Sequence, residues 1–334
     1  MEVPRRKTFA AVALIVFAGI GVFIWGCSSS TLDDGTDGDG VPAFSAYSIE
    51  NGLADNAVTD ITVDYVRNGV WLTTRNGLSF FSNADSSLTT YGAETALPDM
   101  EMTSVTVDPT GTVWVGTVTG IGYLSLTDSL FRMLNDGGNL ASRWVTDILV
   151  RSDLSQWFGT RGGISVKKSS VWTSYTTVLG PSSSITSLAL DSQNRVWAGS
   201  TEGIAMYDGV SWTQYGAAVL PSTYVNVVYA DQGKLWVGTA SIATVYDGSR
   251  WQAYGVADGL PATGVFDFVR DQSGTLWTAA GTGVYSLDGD TWKQLSLPSE
   301  VTGATVNALA ADSMTGSLWI GTNSGALRYS SSGQ

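Results

Sequence analysis

The sequence contains no histidine and only one cysteine. The first absence removes the commonest general base, the commonest zinc ligand and every Ser-His-Asp or Cys-His arrangement. The second rules out an intramolecular disulfide. Positive charge is also scarce: 17 Lys and Arg stand against 30 Asp and Glu, for a formal net charge of −13. Arg5, Arg6, Lys7 and Glu2 give the first 26 residues a net of +2, so the remainder carries −15. A body this acidic repels phosphate backbones and anionic headgroups, which excludes nucleic acid as a partner. Charged residues of both signs make up only 14% of the chain, too few for a disordered protein.

What is abundant is glycine (39) and tryptophan (13). Such a mixture suits many short strands joined by tight turns. The 334 residues would ordinarily suggest two domains, but all-β folds of this length often form one.

Arg5, Arg6 and Lys7 precede an uncharged stretch from Phe9 to Trp25, which ends at Gly26-Cys27 and a Ser run. A basic segment followed by an apolar one is the pattern of an export signal, 1–26. Ile24, Gly26 and Cys27 resemble a bacterial lipobox; Trp25 departs from it, since that position usually holds a small residue. The expectation is that Cys27 is lipidated and tethers the body to a membrane, the alternative being an uncleaved anchor. Ser28 resembles the sorting residue of lipoproteins sent to the outer membrane. Residues 27–43, rich in Ser, Gly and Asp, read as a flexible linker. A calcium loop there fails on its spacing, because Gly35 occupies the third position counted from Asp33. No metal and no cofactor is expected.

From residue 44 to 330 a Trp-centred motif recurs seven times, at Trp71, Trp114, Trp157, Trp197, Trp236, Trp277 and Trp319. The spacings are 43, 43, 40, 39, 41 and 42. Periods near 40 belong to four-stranded propeller blades. Each copy divides into four strand signals, a to d. Strand a is a β-branched run such as AVTDITVD from Ala57 or VFDFVRD from Val265. Strand b is the Trp motif. Strand c begins at the Gly after it. Strand d is an aromatic pattern such as Trp212-Thr-Gln-Tyr215. The seventh copy lacks strand d, while Phe44-Ser-Ala-Tyr47 is an unattached copy of it. The prediction is an all-β, seven-bladed propeller of antiparallel blades, closed by that N-terminal strand, with 331–334 as a tail. Asp64, Asp108, Asp191, Asp231, Asp271 and Asp312 end strand a and are expected to cap their own turns. The seven Trp are expected to fill the seams between blades.

These motifs resemble the two-component regulator propeller repeat. Asn51-Gly52-Leu53, Asn56, Val58, Ile61, Asp64, Trp71 and Gly77 follow its pattern, as do Asp258-Gly259-Leu260-Pro261 and Leu235-Trp236-Val237-Gly238-Thr239. Ile242 departs from it where the turn Gly belongs, and Ala279 and Ala280 replace Gly-Thr. The resemblance implies a periplasmic sensing or recognition role, with a glycan, a peptide or an envelope protein as ligand. An enzyme of the carbohydrate lyase or hydrolase kind is the alternative, with Glu50, Glu94, Glu101 and Glu202 as candidate acids; a structural scaffold of an outer-membrane complex is another. The expected ligand face is the rim built by the d–a and b–c loops. There the residues vary from copy to copy: Arg75 and Asn76, Arg143 and Trp144, Arg161, Glu202, Tyr224 and Asn323.

Overall fold

The computed structural model describes residues 43–178, 184–216 and 219–330. The export signal, Cys27, the linker up to residue 42 and the tail 331–334 lie outside the described residues. Among those described, no helix is long and apolar enough to cross a membrane.

Seven four-stranded antiparallel sheets follow one another along the chain. Blade one shows the pattern, with strand a Val58–Asp64, strand b Gly69–Thr74, strand c Gly77–Ser82 and strand d Leu88–Tyr91. The first strands of successive blades touch one another all the way round, and that of blade seven (Val306–Asp312) meets that of blade one. Strand a therefore lines the central channel and strand d the outer edge.

Ring closure follows the sequence reading. Ala43–Tyr47 pairs with Gly325–Ser330 as the fourth strand of blade seven, Ala43 opposite Ser330 and Tyr47 opposite Ala326. Tyr47 stacks on Trp319 at 5.2 Å and meets Phe81 of blade one edge-on at 5.3 Å. The closing strand thus joins the last seam as well as the last sheet. Strand d of blade two, expected at Phe131-Arg-Met-Leu134, is reduced to Arg132–Met133.

The Trp residues fill seams, as expected. Trp157 contacts Tyr207 of the next blade at 5.6 Å, Trp197 contacts Tyr246 at 6.4 Å, and Trp319 contacts Phe81 at 4.8 Å. Each such pair adds about 0.5–1.5 kcal/mol beyond the area it buries.

The a–b turns at the lower rim are more specialised than the sequence suggested. Asp108 accepts the N–H groups of Thr110 and Thr112 and also the indole Nε1 of Trp114 at 2.9 Å. Asp64, Asp191 and Asp271 likewise receive Trp71, Trp197 and Trp277. One carboxylate thereby caps a turn and satisfies a tryptophan buried or half-buried in the seam. Asp231 departs from the expectation of a turn cap. Its turn is cut to Gln232-Gly233, and its carboxylate instead accepts Arg270 Nε of blade six at 2.6 Å.

Glycine is required at the b–c turns. Gly77 has φ +124°, and a Cβ there would lie 3.0 Å from the Tyr91 carbonyl oxygen. Blade five carries Ile242 instead; its ladder stops at Gly238–Ala243, and Thr239 N bonds Ile242 O across the turn.

Candidate ligand site at the channel mouth

In all seven blades the a–b ladder is interrupted at the same place, between the first and third residues of strand a. The skipped residues are Thr59, Thr103, Thr146, Thr186, Asn226, Phe266 and Asn307. A bulge leaves its extra residue unpaired and re-aims the side chain. Repeated seven times, it places a collar of side chains at one end of the channel.

The same rim gathers the two loop sets that the sequence pointed to. In every blade the first residue of the b–c turn donates its N–H to the residue just before strand a. Arg75 bonds Ala57 O at 3.2 Å, Arg161 bonds Trp144 O at 3.1 Å, and Asn323 bonds Thr305 O at 3.1 Å. Within this rim lies a cavity of about 480 Å³, lined by Thr59, Arg75, Thr186, Asn226, Phe266, Asn307 and Asn323 among others.

The lining offers hydrogen bonds of both kinds. Asn226 Nδ2 is spent on the carbonyls of Thr239 and Val265, and Asn307 Nδ2 on that of Val58. Their amide oxygens remain as acceptors. Asn323 is the reverse: its oxygen takes the N–H of Thr305, leaving its NH2 to donate. The hydroxyl of Thr186 is buried without a partner, as is that of Thr146 in the neighbouring blade. Arg75 is exposed and forms no ion pair among the described residues. Phe266 supplies an apolar face.

Of the residues singled out from sequence, Arg75 and Asn323 line this cavity. Arg161 lies over the ring of Trp144, 3.2 Å from its centroid. Asn76, Arg143, Glu202 and Tyr224 are exposed beside strand a or on the b–c turns of the same rim, outside the cavity lining. The collar itself escaped sequence reasoning. Its one signal was a polar second residue repeated in six of seven a strands.

One residue deeper, three carboxylates face the channel from blades one, three and six. Asp60 Oδ2 accepts Val105 N of the next blade at 2.8 Å, Asp147 accepts Leu188 N at 2.6 Å, and Asp267 accepts Leu309 N at 2.7 Å. The channel leaves each side chain partly wettable, but protein encloses the carboxyl groups. Loss of solvation raises all three: Asp147 to about 6, Asp267 to about 7, and Asp60 well above its ordinary value, with repulsion from Asp147 and Asp267 adding to it. Among the described residues no acidic cluster is tight enough to hold a metal.

Comparison with known proteins places this geometry. The two component regulator propeller family matches residues 180–202, which bears out the resemblance read from the repeats. No curated protein matches. The extracellular domain of a hybrid two component system from B. thetaiotaomicron superposes with a TM-score of 0.74 at 20% identity. The match covers 86% of this chain and 42% of that one. A streptogramin B lyase superposes at 0.71 with 14% identity, covering 86% of this chain and 96% of the lyase. A catalytically inactive virginiamycin B lyase from Staphylococcus aureus, with a histidine replaced by alanine and with quinupristin present, gives 0.70 at 15% identity over 86% and 99%.

Proposed function

We propose that this chain is a non-catalytic recognition propeller, exported and tethered through Cys27, which binds a hydroxyl-rich ligand at the channel mouth. The observation that carries this reading is the collar of bulged residues. It surrounds a cavity of ligand size with free acceptors, free donors, one unpaired guanidinium and one aromatic face. A hydroxyl both gives and takes a hydrogen bond, so a sugar-like ligand can use the Asn226 and Asn307 oxygens and the Asn323 amide together. Arg75 suits a carboxylate or another anionic group on the same ligand. The sensor propeller that superposes on this chain supports the role by analogy only.

Lyase chemistry is the competing reading, because lyase propellers share the fold. Replacement of a histidine accompanies loss of catalysis in one of them, and this chain has no histidine. None of Glu50, Glu94, Glu101 and Glu202 lines the mouth cavity.

The test is a thermal-shift screen of soluble oligosaccharides against the exported body and against Arg75→Ala/Asn323→Ala. Ligands that stabilise the parent should lose their effect in the variant. Undiminished stabilisation of the variant would move the site elsewhere.

A further inference from the structure

Arg143, Trp144 and Arg161 belong to the mouth rim but not to the lining of its cavity. All three come from blade three, where the residue before strand a, Trp144, meets the first residue of the b–c turn, Arg161. In blade one the same two positions hold Ala57 and Arg75, and in blade seven Thr305 and Asn323. Blade three alone pairs an aromatic ring with a cation there. The pair is firmly built. Arg161 Cζ lies 3.2 Å from the centroid of the Trp144 ring. At that separation the planar guanidinium can only lie flat on the indole, because an N–H pointed into the ring would hold the carbon further off. Its N–H groups therefore point sideways, past the edge of the ring. The turn beneath is fixed as well. Arg161 N bonds Trp144 O at 3.1 Å, and a Cβ on Gly162 would stand 2.5 Å from Ala141 O, so the b–c turn is pressed against the chain that leads to Trp144. Trp144 is half-buried and acts as a support; the exposed group is the guanidinium.

Arg143 is exposed beside this pair, and neither arginine forms an ion pair among the described residues. Elsewhere in the ring Arg67, Arg195 and Arg270 are each held by an aspartate. Asp136, in the loop that leads to Arg143, is turned instead to Leu140 N at 3.2 Å. The rim on either side of blade three is negative. Glu101 stands just before strand a of blade two and Glu202 on the b–c turn of blade four; both are exposed, and neither forms an ion pair among the described residues. Across these three blades the rim therefore reads minus, plus, minus.

We infer that this stretch of rim docks a segment of a partner protein in which one acidic side chain stands between basic ones, the acid seated on Arg143 and Arg161. A carboxylate matches the fork of a guanidinium, and a fork already held flat on a ring loses little freedom on binding. The flanking Glu101 and Glu202 take the basic neighbours and repel a run of acids or a polyanionic chain. The surface shares no residue with the lining of the mouth cavity, so the inference is independent of the ligand proposed there.

The experiment follows indole N–H resonances of the 15N-labelled exported body at low ionic strength, where exposed charges act most strongly. Trp144→Phe identifies the Trp144 signal. The probes are end-blocked peptides with one Glu between two Lys, spaced by Gly linkers of several lengths and added to about ten times a Kd on the order of 1 mM. At least one should move the Trp144 signal. Peptides with Gln in place of Glu should not, and neither should peptides with one Lys between two Glu. The shift should persist in Arg75→Ala and vanish in Arg143→Gln/Arg161→Gln. A Trp144 signal unmoved by every Lys-Glu-Lys peptide overturns the proposal. So does a shift that the Gln or the charge-reversed peptides produce equally, that survives in the folded double variant, or that disappears in Arg75→Ala.

Discussion

The carboxylate of Asp60 holds the backbone N–H of Val105, one blade further on, at 2.8 Å. The contact joins two adjacent blades at the channel wall, where Thr59 Oγ1 also donates to Met102 O at 2.9 Å. Asp147 and Asp267 make the same clip at two other seams. Each clip is a carboxyl group that burial drives toward its protonated form.

Stability should therefore depend on pH in an unusual direction. Each of these groups has a folded pKa above its unfolded value of 3.8, so the fold binds more protons than the unfolded chain between the two values. Their contribution is complete below about pH 4 and is lost as pH rises through about 6 for Asp147 and about 7 for Asp267. The melting temperature should fall by several degrees between pH 5 and pH 8. Asp267→Asn keeps an oxygen for Leu309 N and should flatten that slope. An equally steep slope in the variant would assign the effect to other groups. Asp153 and Asp247 act in the opposite sense, since hydrogen bonds hold their pKa values below the ordinary range; stability from them is lost only in strong acid.

Turn aspartates should differ from one another. Asp108→Ala strips the cap from its turn and leaves Trp114 Nε1 without an acceptor, at a cost on the order of 2–3 kcal/mol. Asp231→Ala removes only the pair with Arg270 and should cost about 1 kcal/mol. Urea titration of the two variants checks the ranking.

Closure should depend on the first strand. Tyr47→Ala leaves a hole between Trp319 and Phe81 and should cost about 3–5 kcal/mol, read from the denaturation midpoint. Deleting 43–47 leaves blade seven with three strands and an exposed edge, so the shortened body should also associate. A monomer that melts like the parent would contradict the closure.

Lipidation has its own check. Radiolabelled palmitate fed to the producing cells should appear on the parent, while Cys27→Ser should yield an unlabelled protein, either released or larger by its signal. An unlabelled parent held in the membrane would instead support an uncleaved anchor.

The blades were legible because they repeat, with one exception each to the first and last, chemistry that only one structure uses: an Asp to end strand a, a Trp for the seam, a Gly for the b–c turn. The ring closure was legible for the same reason, since Phe44-Ser-Ala-Tyr47 copies an aromatic strand d. The mouth was half legible. Arg75 and Asn323 stood out because they vary where the framework repeats. Thr59, Thr186 and Asn226 did not, because a bulge is a property of backbone pairing and a threonine within a strand reads as an ordinary β-branched residue. Asp60, Asp147 and Asp267 carried no signal of their own, because strand a lines a channel only once the ring has closed. Asp231 misled in its own way: it matches the other turn aspartates in position, but a turn two residues long lets Arg270 take it.

The register of the closing strand also fixes an orientation. The chain enters blade seven at Ala43, opposite Ser330, on the rim that carries the a–b turns, and it reaches the mouth rim only at Tyr47, opposite Ala326. The described chain therefore begins on the underside of the ring, on the rim opposite the collar. With the lipid proposed for Cys27 in place, any pull on the body would fall first on the strand that locks the ring shut, and on the rim opposite the collar.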